Sequence, residues 1–334
     1  MKKIILYITT IFAALSLPAG CEKLPCRDCE EQEGLRRVTL HVGGGAGTKV
    51  TGVTAEQEAA VRKCALYVFS SSDGRLVGSW SGTGGVFTVY LLDDKYDFVA
   101  VANKDNLPAG DVTRRALEGT PAPLAENAPG SFVMTGSLTN HEVFADEKLT
   151  VEVQRLVAKV SYVIRQRLEG SFAGHPFVVD DIYMTNVAAD GDLGATKAVS
   201  GKWYNPMLFD PQTAAGYDYP IEMLRSGVTA EMAPGDTLAS GDVFYIYPNS
   251  AEDNHSKTEW TPRCTRLVVA AHLDGIPVYY AATIPVVLPN RHYHIDMTIK
   301  SRGSDHPEDL LDELALQVTV QCWENGGNIN GVFM

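Results

Sequence analysis

The residues best placed to do chemistry in this sequence are few, and each can be weighed on its spacing. His292 and His294 flank Tyr293 in an alternating stretch, so both imidazoles would leave one face of a strand, as a metal pair requires. No third ligand falls at a matching spacing, and a packed or surface pair fits better. Asp190 and Asp192, in Asp-Gly-Asp-Leu-Gly194, stand at calcium-loop spacing, but the run of carboxylates stops after two and reads as a solvated turn. Cys26-Arg-Asp-Cys29 has the spacing of a redox or half-zinc motif without a second ligand pair. The loop Gly43–Val50 invites a phosphate-binding reading, yet that motif ends in Gly-Lys-Ser/Thr, and here the order is Gly47-Thr48-Lys49. No Gly-x-Ser-x-Gly elbow is present. Trp80, Trp203, Trp260 and Tyr217 could stack on a sugar, although ordinary packing accounts for them as well. The expectation is therefore a protein that is not an enzyme and needs no cofactor or metal.

The first residues suggest a covalent modification instead. Lys2 and Lys3 precede an apolar run, Ile4 to Leu17, that is too short to span a bilayer comfortably. It ends in Leu17-Pro-Ala-Gly-Cys21, small residues followed directly by Cys, which resembles a bacterial lipoprotein signal except at Pro18. Residues 1–20 would then be removed and Cys21 acylated. Two or more acyl chains, at ~0.8 kcal/mol per buried methylene, would hold the chain on the outer membrane. Of the six cysteines, Cys64, Cys264 and Cys322 lie in or beside apolar runs and read as free, buried small hydrophobes. A net charge of -13 argues against nucleic acid as a partner. With 334 residues, 45% of them hydrophobic, the chain can fill two cores of ordinary size.

The elements that would carry these residues are short strands separated by turn signals. After a polar tether, residues 21–34, Arg36 to Val42 alternates with Val38, Leu40 and Val42 on one face, a first strand. Thr54-x-x-Gln57 is a capping box opening a single short helix, Ala55 to Lys63. Strands follow at Cys64–Ser70, Arg75–Trp80, Phe87–Leu92 and Tyr96–Ala102. One long strand is expected from Leu149 to Ile164, with Arg155 and Lys159 in its middle. Strand-rich Phe177–Val187, a loop-dominated insert (Asp190–Gly235) and a hairpin turning at Asp274-Gly275 come next. The pattern predicts an all-β chain of two sandwiches, 35–150 and 151–311. A terminal segment, 312–334, alternates at Leu314, Leu316, Val318 and Val320. It turns at Asn325-Gly326-Gly327 and resumes at Ile329, Val332 and Phe333.

Leu66-Tyr-Val-Phe69, Tyr96–Asn103, Met134-Thr-Gly136, Arg155-Leu-Val-Ala-Lys159, Phe244–Asn249, Leu288–Ile295 and Gly303-Ser-Asp-His-Pro307, in this order, resemble the fimbrillin family, the pilins of Bacteroidetes type V pili. The resemblance implies two tandem transthyretin-like β-sandwich domains, export as a lipoprotein to the cell surface, and assembly with other fimbrial subunits. It also implies a trypsin-like surface protease that removes the first strand, so that a neighbour's C-terminal donor strand can enter the groove. On this sequence the cut would fall at Lys49, the displaced strand would be Val38, Leu40 and Val42, and the donor would come from Leu314–Val320 or Ile329–Phe333. The alternatives are an anchor or accessory subunit of the same family, or a monomeric surface lipoprotein that binds glycans through Trp203 and its neighbours.

Overall fold

Alternation decides most of the architecture. In Leu35–Gly43 (β1), Val38, Leu40 and Val42 are buried while Arg37 and His41 face solvent. The computed structural model describes residues 34–43, 55–195, 200–208, 221–239, 241, 243–254, 256, 259–309 and 315–323. After β1 come helix α1 (Ala55–Ala59), β2 (Lys63–Ser70), β3 (Leu76–Thr83), β4 (Val86–Leu92) and β5 (Asp94–Ala102). Helix α2 (Arg114–Glu118), β6 (Pro121–Pro123), β7 (Met134–Val143), β8 (Glu147–Glu152) and β9 (Gln154–Arg155) complete the first half. They build two sheets, ordered β4-β1-β8 and β3-β2-β5-β7-β9.

The second half begins with β10 (Ala158–Gln166), β11 (Phe177–Thr185), β12 (Val187–Ala188), β13 (Asp190–Asp192) and β14 (Trp203–Tyr204). It continues through β15 (Ala230–Glu231), β16 (Thr237–Ala239), β17 (Phe244–Ile246), β18 (Thr265–Leu273), β19 (Ile276–Ile284), β20 (Arg291–Ile299) and β21 (Ala315–Cys322). Its sheets are β16-β10-β20-β21, with β17 also on β10, and β15-β11-β18-β19. The β18–β19 hairpin closes on two residues, Asp274 and Gly275, with φ of 53° and 77°, the left-handed pair that a tight hairpin needs.

Each of these four sheets draws its strands from one side of Leu156–Val157, and one apolar cluster runs through both halves. The halves are stitched together by β6 against β13, by Gly194 N–H donating to Glu118 O (2.8 Å), and by Asn127 Nδ2 donating to the Tyr247 hydroxyl (3.0 Å).

Two expectations need correction. The long strand from Leu149 to Ile164 is three strands: β8 pairs with β1, β9 crosses to β7 in the facing sheet, and β10 enters the second half. Residues 147–155 thus stay with the first pair of sheets. The alternation Thr150, Glu152, Gln154 ends at Arg155, after which Leu156, Val157 and Ala158 are all buried and period 2 no longer marks a face. The helix expected over Ala55–Lys63 stops at Ala59, because Arg62 N–H is taken by Asn103 Oδ1 (2.9 Å) and Lys63 already pairs in β2. A second helix, α2, was not expected; Thr113 caps it, its hydroxyl accepting from Ala116 N–H (3.2 Å).

The crossover from β8 to β9 explains Gly136. A Cβ there would lie 1.9 Å from Glu152 O and 2.8 Å from its carbonyl carbon. Gly136→Ala is expected to destabilise the chain by about 3 kcal/mol, the upper end of overpacking costs, because backbone rather than a flexible side chain must move. Urea unfolding compared with Gly82→Ala, where nothing lies within 4 Å, checks this.

Candidate functional site

The first strand sits between two others. β1 pairs antiparallel with β4 (Leu40 opposite Phe87, Val38 opposite Val89) and parallel with β8 (Leu40 opposite Leu149, Val42 opposite Val151). Both of its hydrogen-bonding edges are therefore used, and its buried face reaches the core, where Val38 and Leu40 are 0% exposed. Arg36 holds one end through Asp93 (2.6 and 2.8 Å), and Val42 N–H donates to Gly85 O (2.7 Å) at the other. Cys21 and Lys49 lie outside the described residues, as do Leu314, Ile329, Val332 and Phe333.

The described part of the C-terminal segment, residues 315–323, pairs within its own chain. β21 runs antiparallel along β20, with Val320 opposite Tyr293, Val318 opposite Ile295 and Leu316 opposite Met297, and among the described residues it is the outer strand of that sheet. The next residue, Trp323, is 2% exposed. Its indole N–H donates to Glu58 Oε2 (2.7 Å), its ring stacks at 14° on Tyr245 (5.7 Å between centroids), and Phe132 meets it edge-on (5.6 Å). The Arg155 guanidinium lies 4.4 Å from the indole centroid, a cation–π contact.

Glu58 is the hub of this cluster. Its carboxylate pairs with the Lys159 ammonium, both 1% exposed, and accepts from the Tyr245 hydroxyl (3.2 Å). Arg155 Nε donates to Glu58 O (2.8 Å) and its NH1 to Asn290 Oδ1 (3.1 Å). Burial beside the Glu58 charge pushes the Tyr245 phenol up, so it stays a donor. Sequence reading placed Arg155 and Lys159 in mid-strand and missed their partner. Two cations in an apolar run do signal a buried acid.

A second buried pair pins the stretch before β21. Glu308 accepts from Asn186 Nδ2 (3.1 Å) and pairs with Arg266, whose other terminal nitrogen meets Asp253 (2.6 Å). Burial raises the Glu308 carboxyl to about 7 against the pull of Arg266 and Arg263. Ser304 and Tyr279 exchange backbone hydrogen bonds of 2.8 and 2.9 Å in the same stretch.

The residues singled out for chemistry take quieter places. His292 Nε2 and His294 Nδ1 both meet Ser161 Oγ, at 2.8 and 2.9 Å, so the pair is bridged by a hydroxyl. Among the described residues, no group of three or more His, Cys, Asp or Glu is set to hold a metal ion. Asp190 and Asp192 form β13. Trp203 and Trp260 pack edge to face at 5.3 Å, and their N–H groups go to Ser200 O and Asn186 Oδ1. Cys64 and Cys264 are free and buried, and burial pushes the Cys64 thiol up to about 12.

Burial, with Lys159 nearby, lowers His292 to about 4 from 6.5. The unfolded chain binds its proton near 6.5 and the folded chain only near 4, so stability falls as pH drops through that window. The loss should be on the order of 2–3 kcal/mol. It is read as the difference in unfolding free energy between the native chain and His292→Gln from pH 7 to 4, and parallel pH curves would refute it.

No protein-family model matches the sequence, and no curated protein does. Solved structures match well. A fimbrilin (fimA) from Porphyromonas gingivalis W83 superposes with a TM-score of 0.62 at 17% identity, covering 87% of this chain and 98% of that one. A candidate cell adhesion protein from Bacteroides eggerthii DSM 20697 gives 0.61 at 16% identity over 87% and 96%. The tip fimbrial protein Mfa3 from Porphyromonas gingivalis, with C-terminal truncation, gives 0.53 at 16% over 86% and 100%. Likeness at this identity is likeness of fold, and over most of its length this chain has the fold of Bacteroidetes fimbrilins and fimbrial tip proteins.

Proposed function

We propose that this chain is a structural subunit of a cell-surface fimbria that supports adhesion, made of two tandem β-sandwich domains and assembled by strand replacement. In this reading Cys21 carries the lipid that brings the chain to the outer membrane, and a trypsin-like surface protease cuts at Lys49. The first strand, with Val38, Leu40 and Val42, then leaves, and a C-terminal segment of a neighbouring subunit takes its place. The observation that supports this most is the position of β1 between β4 and β8, because its loss opens a slot lined by two ladders rather than one bare edge. The donor is Leu314, Leu316, Val318 and Val320, or Ile329, Val332 and Phe333; the pairing of β21 with β20 in its own chain favours the second set.

Limited trypsin digestion of recombinant Glu22–Met334 tests the reading, with the new N-terminus found by mass spectrometry and the product run unboiled on a denaturing gel. A single cut after Lys49 with a ladder of detergent-resistant multimers is the expected result. A chain that is shredded, or left intact, removes the basis for processing at Lys49.

A further inference from the structure

We propose that the cleft between the paired strands β2 and β3 and the loop of residues 104–109 is a binding site for a neutral saccharide, a short oligosaccharide with free hydroxyls. Neither Trp203 nor Trp260 lines it, and the proposal does not rest on the fimbrial reading.

The strand register builds the floor. Lys63, Ala65 and Tyr67 share one face of β2, and Thr83, Ser81 and Ser79 stand opposite them on β3. A row of three hydroxyls therefore runs along β3, ~13 Å from end to end by the two-residue repeat. Ser79, Ser81 and Thr83 are all exposed, and β3 is the outer strand of its sheet among the described residues. The chain after β5 supplies the wall. Asn103 and Asn106, with φ of 58° and 53°, turn it back beside the floor. Buried Asn103 donates to Ala60 O (2.7 Å) and Phe132 O (2.9 Å) and accepts from Arg62 N–H (2.9 Å). The Tyr67 hydroxyl donates to Pro108 O (2.8 Å), and Lys104, itself buried, pairs with Glu126 (2.8 Å). Contacts within the chain thus hold floor and wall, so the cleft is formed before a ligand arrives. Its volume is about 570 Å³, inside the range of ~300–1,000 Å³ for small-molecule sites.

The lining decides what fits. Its two lysines are each taken, Lys63 by Asp105 and Lys104 by Glu126, so a phosphate or other anion meets no unpaired cation there. Among the described residues, the hydroxyls of Ser79, Ser81 and Thr83 and the Asn106 side-chain amide have no partner within the chain. Ala65, Tyr67, Leu107 and Pro108 add apolar surface beside them. A saccharide has the matching make-up: C–H faces bordered by hydroxyls that both donate and accept, as these side chains do. The hydroxyl row is longer than one sugar ring, which favours an oligosaccharide. An extended peptide would instead pair with the open backbone edge of β3 and has no need of the hydroxyls on its face.

The test applies recombinant Glu22–Met334 to an array of immobilised neutral and acidic oligosaccharides with extended peptides printed beside them. Binding to neutral saccharides is the expected result, repeated with the free sugar by calorimetry. Ser81→Trp fills the middle of the floor from an exposed strand position and should abolish it. Asn106→Gly keeps the left-handed backbone but removes the amide, and should weaken binding about threefold to tenfold. Circular dichroism checks that each variant is folded. Should Ser81→Trp not fold, Ser79→Ala with Thr83→Val takes its place and should weaken binding about tenfold or more, since two hydrogen bonds are lost. The proposal is overturned if no neutral saccharide binds, if the folded floor variant binds as the native chain does, or if peptides or acidic saccharides are preferred.

Discussion

Glu58→Ala is expected to lower the unfolding free energy by about 3–5 kcal/mol, the cost of stranding one partner of a buried ion pair. Three groups lose their acceptor at once: the Lys159 ammonium, the Trp323 indole N–H and the Tyr245 hydroxyl. With Lys159 1% exposed, water does not reach the ammonium to compensate. Glu58→Gln should cost less, since its amide oxygen still accepts from Trp323. Combining Glu58→Gln with Lys159→Met should recover much of the loss, because neither charge is then buried alone. A double-mutant cycle by urea unfolding at fixed pH measures this. A coupling energy below about 0.5 kcal/mol would show that the pair contributes no more than an exposed salt bridge. Trp323→Phe belongs in the same series. It keeps most of the buried ring area and removes one donor, so the expected cost is about 1–3 kcal/mol for the unsatisfied carboxylate.

That cluster marks the limit of what the residue pattern reveals. Strands with one solvent face were legible from alternation alone: Val38, Leu40 and Val42 are buried as the pattern requires, and the Asp274-Gly275 turn closes the hairpin where turn chemistry puts it. Where both faces are covered, alternation carries no information. The run Leu156–Ile164 reads the same whether it continues β8 or starts a new sheet, and only Gly136, under the crossing backbone of Glu152, betrays the break. Arg155 and Lys159 stood out as charges in an apolar run, but their acid sits on α1, a hundred residues earlier in sequence, and periodicity does not report contacts at that separation. For His292 and His294 the spacing favoured a packed pair, and what packs them is local: across the parallel ladder, Ser161 comes opposite His294 and hydrogen-bonds to one nitrogen of each ring. The C-terminal strand was recognised by its alternation; its place on β20 depends on Trp323 finding Glu58, which lies in another part of the chain.

If the proposed cut at Lys49 starts assembly, Lys49→Ala is expected to abolish the multimer ladder on trypsin digestion, with the monomer at least as stable as the uncut chain, whereas Lys49→Arg should still be cut and still give the ladder. The reason lies in what β1 contributes. Val38, Leu40 and Val42 are worth ~1.5–3 kcal/mol each when buried, on the order of 5–9 kcal/mol together as an upper estimate. A whole domain is stable by only ~5–15 kcal/mol. A cut in the chain after β1 would not remove these contacts; it would make them exchangeable, because the strand would then be held by non-covalent contacts alone. Once it leaves, Val89 and Phe87 on β4 and Leu149 and Val151 on β8 lose their neighbours in the sheet, and two ladders are left open. The cut subunit then either binds another strand or loses its first pair of sheets. Adding a peptide of residues 324–334 during digestion separates these fates. It should cap the slot, hold the thermal midpoint near that of the uncut chain and suppress the ladder in proportion to its concentration. A peptide of residues 315–323 should leave the ladder unchanged, since its place is on β20. If the two peptides exchange roles, the donor is β21 and the strand now seen beside β20 is the one that moves.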